Sequence, residues 1–141
     1  MKLVKTLLVA GTLLFGTAHA APSDFLVSTD WLEKNINDPK LRLIEVSVNP
    51  GLYERGHIQG ASNFSWHTDL VDPVRRDIVN QQNFEKLLRN AGINADSTVV
   101  LYGDTNNWFA AWGAWVFDIY GIKNVKLLDG GRKKWEAENR P

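Results

Sequence analysis

The chain contains no cysteine, and this absence excludes several kinds of chemistry. Without a thiol there can be no disulfide, no thiolate metal site and no cysteine nucleophile within these 141 residues. An excess of positive charge is also missing, because 16 basic residues balance 16 acidic ones. Phosphate binding along a nucleic acid requires a basic field, so the composition argues against a nucleic-acid partner.

The first 20 residues have the pattern of an export signal. Lys2 and Lys5 form a basic start, residues 6–16 are mostly apolar, and Ala18-His19-Ala20 is a small-x-small cleavage pattern. The apolar run is too short to span a bilayer, and no lipid-anchoring cysteine follows it. The alternative is an uncleaved anchor. We expect cleavage after Ala20 and an exported product without membrane attachment, located in the periplasm if the source is a Gram-negative bacterium.

From residue 24 onwards, short apolar runs alternate with helical patterns. Removing the 20-residue leader takes away two lysines, which leaves 121 residues with a net charge of −2, a size typical of one domain. Strands are predicted near residues 25–27, 41–46, 62–64, 99–102 and 125–128. Helices are predicted at about 29–37, 81–91 and 108–120, and from 131 onwards, with a long charged loop over 65–79. The alternation predicts an α/β fold whose parallel sheet has helices on both faces, in one domain over residues 24–141.

The segment from Thr98 to Gly121 is the centre of this arrangement. A buried-strand pattern leads into the polar loop 103–107, and a helix begins directly after it. This geometry builds anion sites in α/β proteins, because free N–H groups of the helix point into the loop. The loop has no glycine-rich phosphate motif and no lysine, so a P-loop is excluded.

The helix that follows the loop is apolar on every side. Trp108, Trp112 and Trp115 recur at helical spacing, and Asp118 is its one charged residue. One interpretation is a core helix that is covered all round. The other is that part of the tryptophan stripe faces a second domain or subunit, because uncovered apolar patches mark association sites.

Two motifs resemble the signatures of the rhodanese, or thiosulfate sulfurtransferase, family. YERGHIQGASNF over residues 53–64 is similar to the first, and LLDGGRKKW over residues 127–135 is similar to the second. The residues that carry them are Tyr53, Gly56, His57, Gly60, Asp129, Gly130, Gly131 and Trp135. The resemblance implies a five-stranded parallel sheet flanked by helices, with these residues in structural roles. It also implies a reaction that passes sulfane sulfur from thiosulfate to a thiophilic acceptor such as cyanide.

The sequence departs from the family at the position of the catalytic cysteine. Aligned on the strand VVLY, that position falls on Gly103, and counted back from Gly121 it falls on Asp104. Neither residue can carry a sulfane sulfur, because a persulfide requires a thiolate. No catalytic residue is therefore assigned, and whether the chain is an enzyme stays open. No cofactor and no metal are expected.

The resemblance is closest to the first half of two-domain sulfurtransferases, in which the second half carries the cysteine. It implies either that such a second rhodanese domain is the partner or that the chain self-associates through the tryptophan helix. The residues expected at the loop and domain interface are Asp104, Asn106, Asn107, Trp108, Phe109 and Trp112. The alternative is a stand-alone exported binding or regulatory module. The DNA downstream of the codon for Pro141 distinguishes these hypotheses, because only the first requires a cysteine-bearing rhodanese half there.

Other polar residues have simpler interpretations. His57 is expected to hydrogen-bond the turn of the first motif. Asp104 is expected to be a carboxylate at the start of the helix, favourable with the helix dipole, that accepts hydrogen bonds from loop N–H groups. His67, Asp69 and Asp72 are only a weak metal pattern. The basic run 132–134 is expected to be solvated, with an anion-facing role as the alternative.

The leader pattern predicts that the exported protein begins at Ala21. Mass spectrometry of the mature product should show this residue at its N-terminus, because signal peptidase cuts after a small-x-small sequence. Intact Met1 in a soluble cytoplasmic pool would contradict this prediction.

Overall fold

A sheet of five parallel strands organises the chain in a computed structural model that describes residues 24–141. In chain order these strands are β1 (Leu26–Val27), β2 (Leu41–Ser47), β3 (Ser62–Ser65), β6 (Thr98–Gly103) and β7 (Val125–Leu128). Their spatial order is β1-β7-β6-β2-β3, and every neighbouring pair is parallel. The predicted parallel sheet is confirmed. The predicted export signal and its cleavage site lie outside the described residues.

Helices lie on both faces of the sheet, as the alternating pattern predicts. Over residues 24–141 they are α1 (Thr29–Asn35), α2 (Leu52–Arg55), α3 (Gln81–Asn90), α4 (Trp108–Ile119) and α5 (Gly131–Ala137). The Ser28 side chain accepts a hydrogen bond from the N–H of Trp31 at 3.1 Å, and Asn80 accepts one from Asn83 at 2.9 Å. These two caps satisfy N–H groups that the first turns of α1 and α3 leave free.

Strand β6 is buried on both faces, which explains its continuous apolar sequence. Val99 and Leu101 belong to the core cluster formed with α3 and α4, whereas Val100 and Tyr102 belong to the cluster formed with α1 and α5. Each apolar side chain buried in this way contributes roughly 1.5–3 kcal/mol to folding. The same burial on both faces fixes the position of the loop that follows β6.

The segment 65–79 is more regular than the predicted loop. Residues Trp66–Leu70 form one π-helical turn, and β4 (Val71–Asp72) pairs antiparallel with β5 (Asp77–Ile78). The Asp69 carboxylate accepts a hydrogen bond from the N–H of Ser65 at 2.8 Å. Leu70 is fully buried. Side-chain hydrogen bonds and one anchoring leucine build this segment, so it shows no hydrophobic period in the sequence.

Helix α4 is covered by the domain on one side only. Ala110, Val116 and Phe117 are completely buried, but Trp108 is 76% exposed and Trp115 is 52% exposed. The interpretation of α4 as a core helix covered all round is therefore wrong for this chain. The exposed side leaves a patch of aromatic surface beside the sheet. Among the residues that the structure describes, no helix is long and apolar enough to cross a membrane.

Candidate functional site

The carboxyl edge of the sheet brings together the ends of β2, β6 and β7. Residues 104–107 connect β6 to α4 at this edge, where α/β proteins place their ligand sites. The parallel register sets Gly103 opposite Val46 on β2. The residues that the sequence places at the family's cysteine position therefore lie at the middle of this edge.

Gly103 has no room for a side chain. A Cβ atom added there would lie 2.6 Å from the carbonyl oxygen of Val46, a backbone atom that cannot swing aside. The next residue, Asp104, has extended backbone angles and carries the first side chain beyond the strand. Of the two candidate cysteine positions, only residue 104 can hold a side chain without moving the backbone.

Asp104 is only 7% exposed, and three N–H groups donate to its carboxylate. Its Oδ2 atom accepts hydrogen bonds from the backbone N–H of Asn49 at 2.9 Å, from Asn49 Nδ2 at 2.8 Å and from the N–H of Val48 at 3.3 Å. These donors belong to the loop after β2, and Asp104 does not cap the following helix. The expected role as an acceptor from loop N–H groups is present, whereas the Asp104 side chain makes no cap hydrogen bond to the following helix.

The loop backbone turns through three consecutive left-handed residues. Thr105, Asn106 and Asn107 have φ values of 50°, 54° and 63°. The Asn107 side chain holds this conformation, because Oδ1 accepts from the N–H of Gly103 at 3.0 Å while Nδ2 donates to the carbonyl of Leu128 at 2.7 Å. Asparagine tolerates the left-handed region better than most residues, so its use here has a conformational reason.

The six residues expected at a domain interface lie in different environments. Asp104 and Asn107 are buried and bonded within the domain, whereas Asn106 and Trp108 are exposed. Phe109 and Trp112 are half-buried, and both pack edge-on against Trp66, with ring centroids 4.8 and 5.8 Å away. The surface available to a partner at this edge therefore consists of Asn106 and the aromatic side chains of α4, and it includes neither Asp104 nor Asn107.

The first signature motif forms a tight turn after α2. Tyr53 donates from its hydroxyl to the carbonyl of Ala61 at 2.6 Å, and Gly60 has a φ of 81°. The His57 ring stacks on Tyr53 with centroids 3.8 Å apart, and its Nδ1 lies 2.9 Å from the Tyr53 carbonyl oxygen. Gly56 has a φ of 153° and closes the turn with its N–H on the same carbonyl. The polar contacts of this motif hold backbone in place.

The second signature motif starts α5 and packs it against the loop at the sheet edge. Gly130 and Gly131 have positive φ values, and a Cβ on Gly131 would lie 2.2 Å from Asn107 Oδ1. Trp135 is 3% exposed and anchors the helix in the core. Asp129 is exposed and pairs with Lys134 at 3.0 Å. The glycines allow α5 to approach the Asn107 side chain closely.

Arg132 is not solvated, so this expectation for the basic run is wrong at its first residue. The Arg132 side chain is 9% exposed, and it donates to the carbonyls of Leu52, at 3.0 Å, and Gly56. Its Nη1 atom lies 3.8 Å from the Glu45 carboxylate. Lys133 is exposed as expected. Arg132 is buried because it neutralises a buried acid and completes the turn of the first motif.

Glu45, Tyr102 and Arg132 form a buried polar network that the sequence analysis missed. Glu45 is completely buried in β2, and the Tyr102 hydroxyl donates to its Oε2 at 2.5 Å while accepting from the N–H of Ile58 at 3.1 Å. Burial raises the pKa of the Glu45 carboxyl, although the hydrogen bond from Tyr102 and the charge of Arg132 act in the opposite direction. Burial and the bond to Glu45 raise the pKa of the Tyr102 hydroxyl. The detectable signal was Glu45, a charged residue between the apolar residues Ile44 and Val46 of a predicted strand.

The weak metal pattern of His67, Asp69 and Asp72 includes a carboxylate, that of Asp72, which stabilises a turn. The Asp72 carboxylate accepts hydrogen bonds from the N–H groups of Val74 and Arg75, both at 3.0 Å, and these bonds lower its pKa. His67 is exposed. Across residues 24–141, no three or more histidine or acidic side chains are arranged to hold a metal ion.

Comparison with known proteins assigns the chain to a family. The family model for the rhodanese-like domain matches residues 28–138. The chain is 56% identical over 121 residues to a Mycolicibacterium smegmatis protein whose name places it provisionally among the thiosulfate sulfurtransferases, and the match covers 86% of this chain and 44% of that protein. It is 48% identical over 126 residues to the sulfur carrier protein TtuD of Thermus thermophilus, covering 89% of this chain and 43% of TtuD.

A solved structure shows the same fold. The 3-mercaptopyruvate sulfotransferase SseA of Escherichia coli superposes with a TM-score of 0.73 at 27% identity, over 82% of this chain and 48% of SseA. The chain thus spans less than half the length of the relatives described here.

The buried network predicts a pH-dependent effect of Tyr102→Phe. Removing the hydroxyl leaves the Glu45 carboxylate without its direct hydrogen bond, which should cost about 1–3 kcal/mol of unfolding free energy. A carboxyl whose pKa is raised in the folded state contributes stability at low pH and loses it as the pH rises through that pKa. Since the Tyr102 hydrogen bond lowers the pKa, its removal should raise it further, and the deficit should grow with pH.

Urea unfolding at several pH values measures this effect. Tyr120→Phe is a matched control, because the Tyr120 hydroxyl donates to the uncharged carbonyl of Val79 at 2.6 Å. Its deficit should be independent of pH. A Tyr102→Phe deficit that is equally flat would show that the hydroxyl does not bear on the charge of Glu45.

Proposed function

The chain belongs to the rhodanese-like domain family, and we propose that it is the supporting half of a two-domain sulfurtransferase, a half that does not itself carry the transferred sulfur. The observation behind this proposal is the identity of the residue at the end of β6. Where the family's cysteine would stand, this chain has Asp104, buried and held by three N–H donors. The chain has no cysteine at any position that could replace the family's catalytic cysteine.

The chemistry of sulfur transfer supports the non-catalytic role. A sulfane sulfur is carried as a persulfide, which requires a soft thiolate nucleophile. A carboxylate cannot form this bond, and its negative charge repels the thiosulfate dianion. The proposed overall reaction moves sulfur from thiosulfate to a thiophilic acceptor, with the thiolate supplied by a second rhodanese domain.

The exposed side of α4 supports a partner at the same edge of the sheet. Trp108 is 76% exposed at the first turn of the helix, and Phe109 and Trp112 are only half covered by Trp66. Covering such aromatic surface contributes roughly 25 cal/mol per Å². The relatives described above are more than twice as long as the segment they share with this chain, so they have room for a second domain. We propose that a cysteine-bearing domain covers this surface, or that the chain self-associates through it.

Export is part of the same proposal. The leader pattern of residues 1–20 supports a location outside the cytoplasm, and in a Gram-negative source this location is the periplasm. The sulfur transfer would then take place in the exported protein.

The proposed role predicts that the purified chain forms no thiocyanate from thiosulfate and cyanide. Asp104→Cys should fold and should at most produce trace activity, because Asn106 and Asn107 differ from the small, anion-friendly residues of catalytic loops. Gly103→Cys should instead lose roughly 1–3 kcal/mol or more, since its Cβ meets the carbonyl oxygen of Val46.

Thiocyanate assays and melting curves for the three proteins check this prediction. Thiocyanate above the buffer blank from the wild-type chain would overturn the non-catalytic role. A Gly103→Cys protein as stable as Asp104→Cys would show that the steric argument for position 104 is wrong.

The proposed partner surface predicts that the isolated chain self-associates or binds a hydrophobic dye. Trp108→Ser with Phe109→Ser should reduce both effects, because it removes exposed aromatic area. The Trp108 change should barely alter stability, while the Phe109 change should cost some stability because its ring packs on Trp66. Val74→Ser, at a residue 89% exposed in the turn between β4 and β5, is a control that removes exposed apolar area outside α4 itself.

Sedimentation and thermal melting of the single and double variants make the measurement. Unchanged association together with a collapsed melting temperature would show that these residues belong to the core and that the interface does not exist.

A further inference from the structure

The three N–H groups around Asp104 are arranged like an oxyanion hole. All three donate to one atom, Oδ2, at 2.8, 2.9 and 3.3 Å. Two come from Asn49, through its backbone and its side-chain amide, and the third comes from the backbone of Val48. The other carboxylate oxygen, Oδ1, has one weaker contact, with the Thr105 hydroxyl at 3.4 Å. Convergence of several donors on one oxygen is how proteins bind oxyanions.

The donors are set by the fold and do not depend on a local turn around Asp104. Val48 and Asn49 follow directly after β2, and Asp104 follows directly after β6, its parallel neighbour. The two loops are more than 50 residues apart in the sequence and meet only because the strands end at the same edge. The three N–H donors, called the cradle below, therefore come from the loop after β2, and the carboxylate that they bind comes from the loop after β6.

We propose that Val48 and Asn49 form a small oxyanion-binding site whose resident ligand is the Asp104 carboxylate. This carboxylate closes the site to oxyanions from solution, including thiosulfate. When it is removed, the site should take an oxyanion of carboxylate size in its place. The proposal goes beyond the supporting role proposed above, since it concerns anion binding and requires neither a partner nor sulfur transfer.

Charge favours a singly charged occupant. Glu45 is close enough for the charge of Asp104 to raise its pKa, and Arg132 is the cation that faces Glu45. Replacing one carboxylate by one formate ion restores the original charge of this region. A dianion would add a further negative charge near a buried acid, which is unfavourable at short range.

The experiment is chemical rescue of Asp104→Ala with sodium formate, followed by amide NMR at constant ionic strength. The Val48 and Asn49 amide resonances of the variant should shift saturably at millimolar formate, and its melting temperature should rise with formate but not with chloride. In the wild type, thiosulfate should leave both resonances unchanged. Asp129→Ala is the matched control, because it removes an exposed acid at the same edge without opening the cradle.

Several results would overturn the proposal. They are a folded Asp104→Ala protein without saturable shifts, equal formate shifts in Asp129→Ala, or saturable thiosulfate shifts at these amides in the wild type. Asp104→Asn provides a test if the alanine variant does not fold, because its amide oxygen still fills the cradle as a neutral acceptor. It should move the Val48 and Asn49 amide resonances upfield and should show no formate binding. Unmoved resonances would show that the Asp104 carboxylate is not their ligand. None of these readouts depends on sulfurtransferase activity or on association.

Discussion

The close approach of β2 and β6 at their carboxyl ends is the constraint on which the site depends. Their register brings the Val46 carbonyl so near to residue 103 that only glycine fits there. The first side chain beyond the strand therefore belongs to Asp104, and its direction is set towards the loop that follows β2. A close backbone contact between two central strands thus decides which residue can act at this edge and which N–H groups it meets.

Two buried carboxylates lie on this framework, and the domain compensates them differently. Glu45 has a hydroxyl donor and a guanidinium, which ties β2 to β6 and to α5. Among residues 24–141, Asp104 has N–H donors from a single loop and no cation among its hydrogen-bond partners. A carboxylate that is stabilised by N–H dipoles alone keeps its negative charge without a cation bonded to it. This arrangement explains how a carboxylate can occupy the middle of an edge that in α/β proteins receives anionic ligands.

Much of the fold could be predicted from the sequence because it depends on local patterns. The buried strand β6 and the caps Ser28 and Asn80 are visible as an apolar run and as cap residues before apolar periodicity. The site was harder to predict from the sequence, because its contacts join residues that are distant in the chain. The burial of Arg132 depends on Glu45, and the donors to Asp104 come from the loop after β2. Hydropathy also could not show which side of α4 stays exposed, since every side is apolar.

The exposed side of α4 and the closed polar site have a common consequence for function. The two buried polar side chains of the loop, Asp104 and Asn107, are bonded within the domain, so they are not available to a ligand from outside. Besides the polar residues Thr105 and Asn106, the edge exposes aromatic surface, chiefly Trp108. Water solvates such surface poorly, and covering it is favourable whatever the chemistry of the covering group. The physical properties of this edge therefore favour association, and under the proposed function the molecule that covers it supplies the sulfur-carrying thiolate.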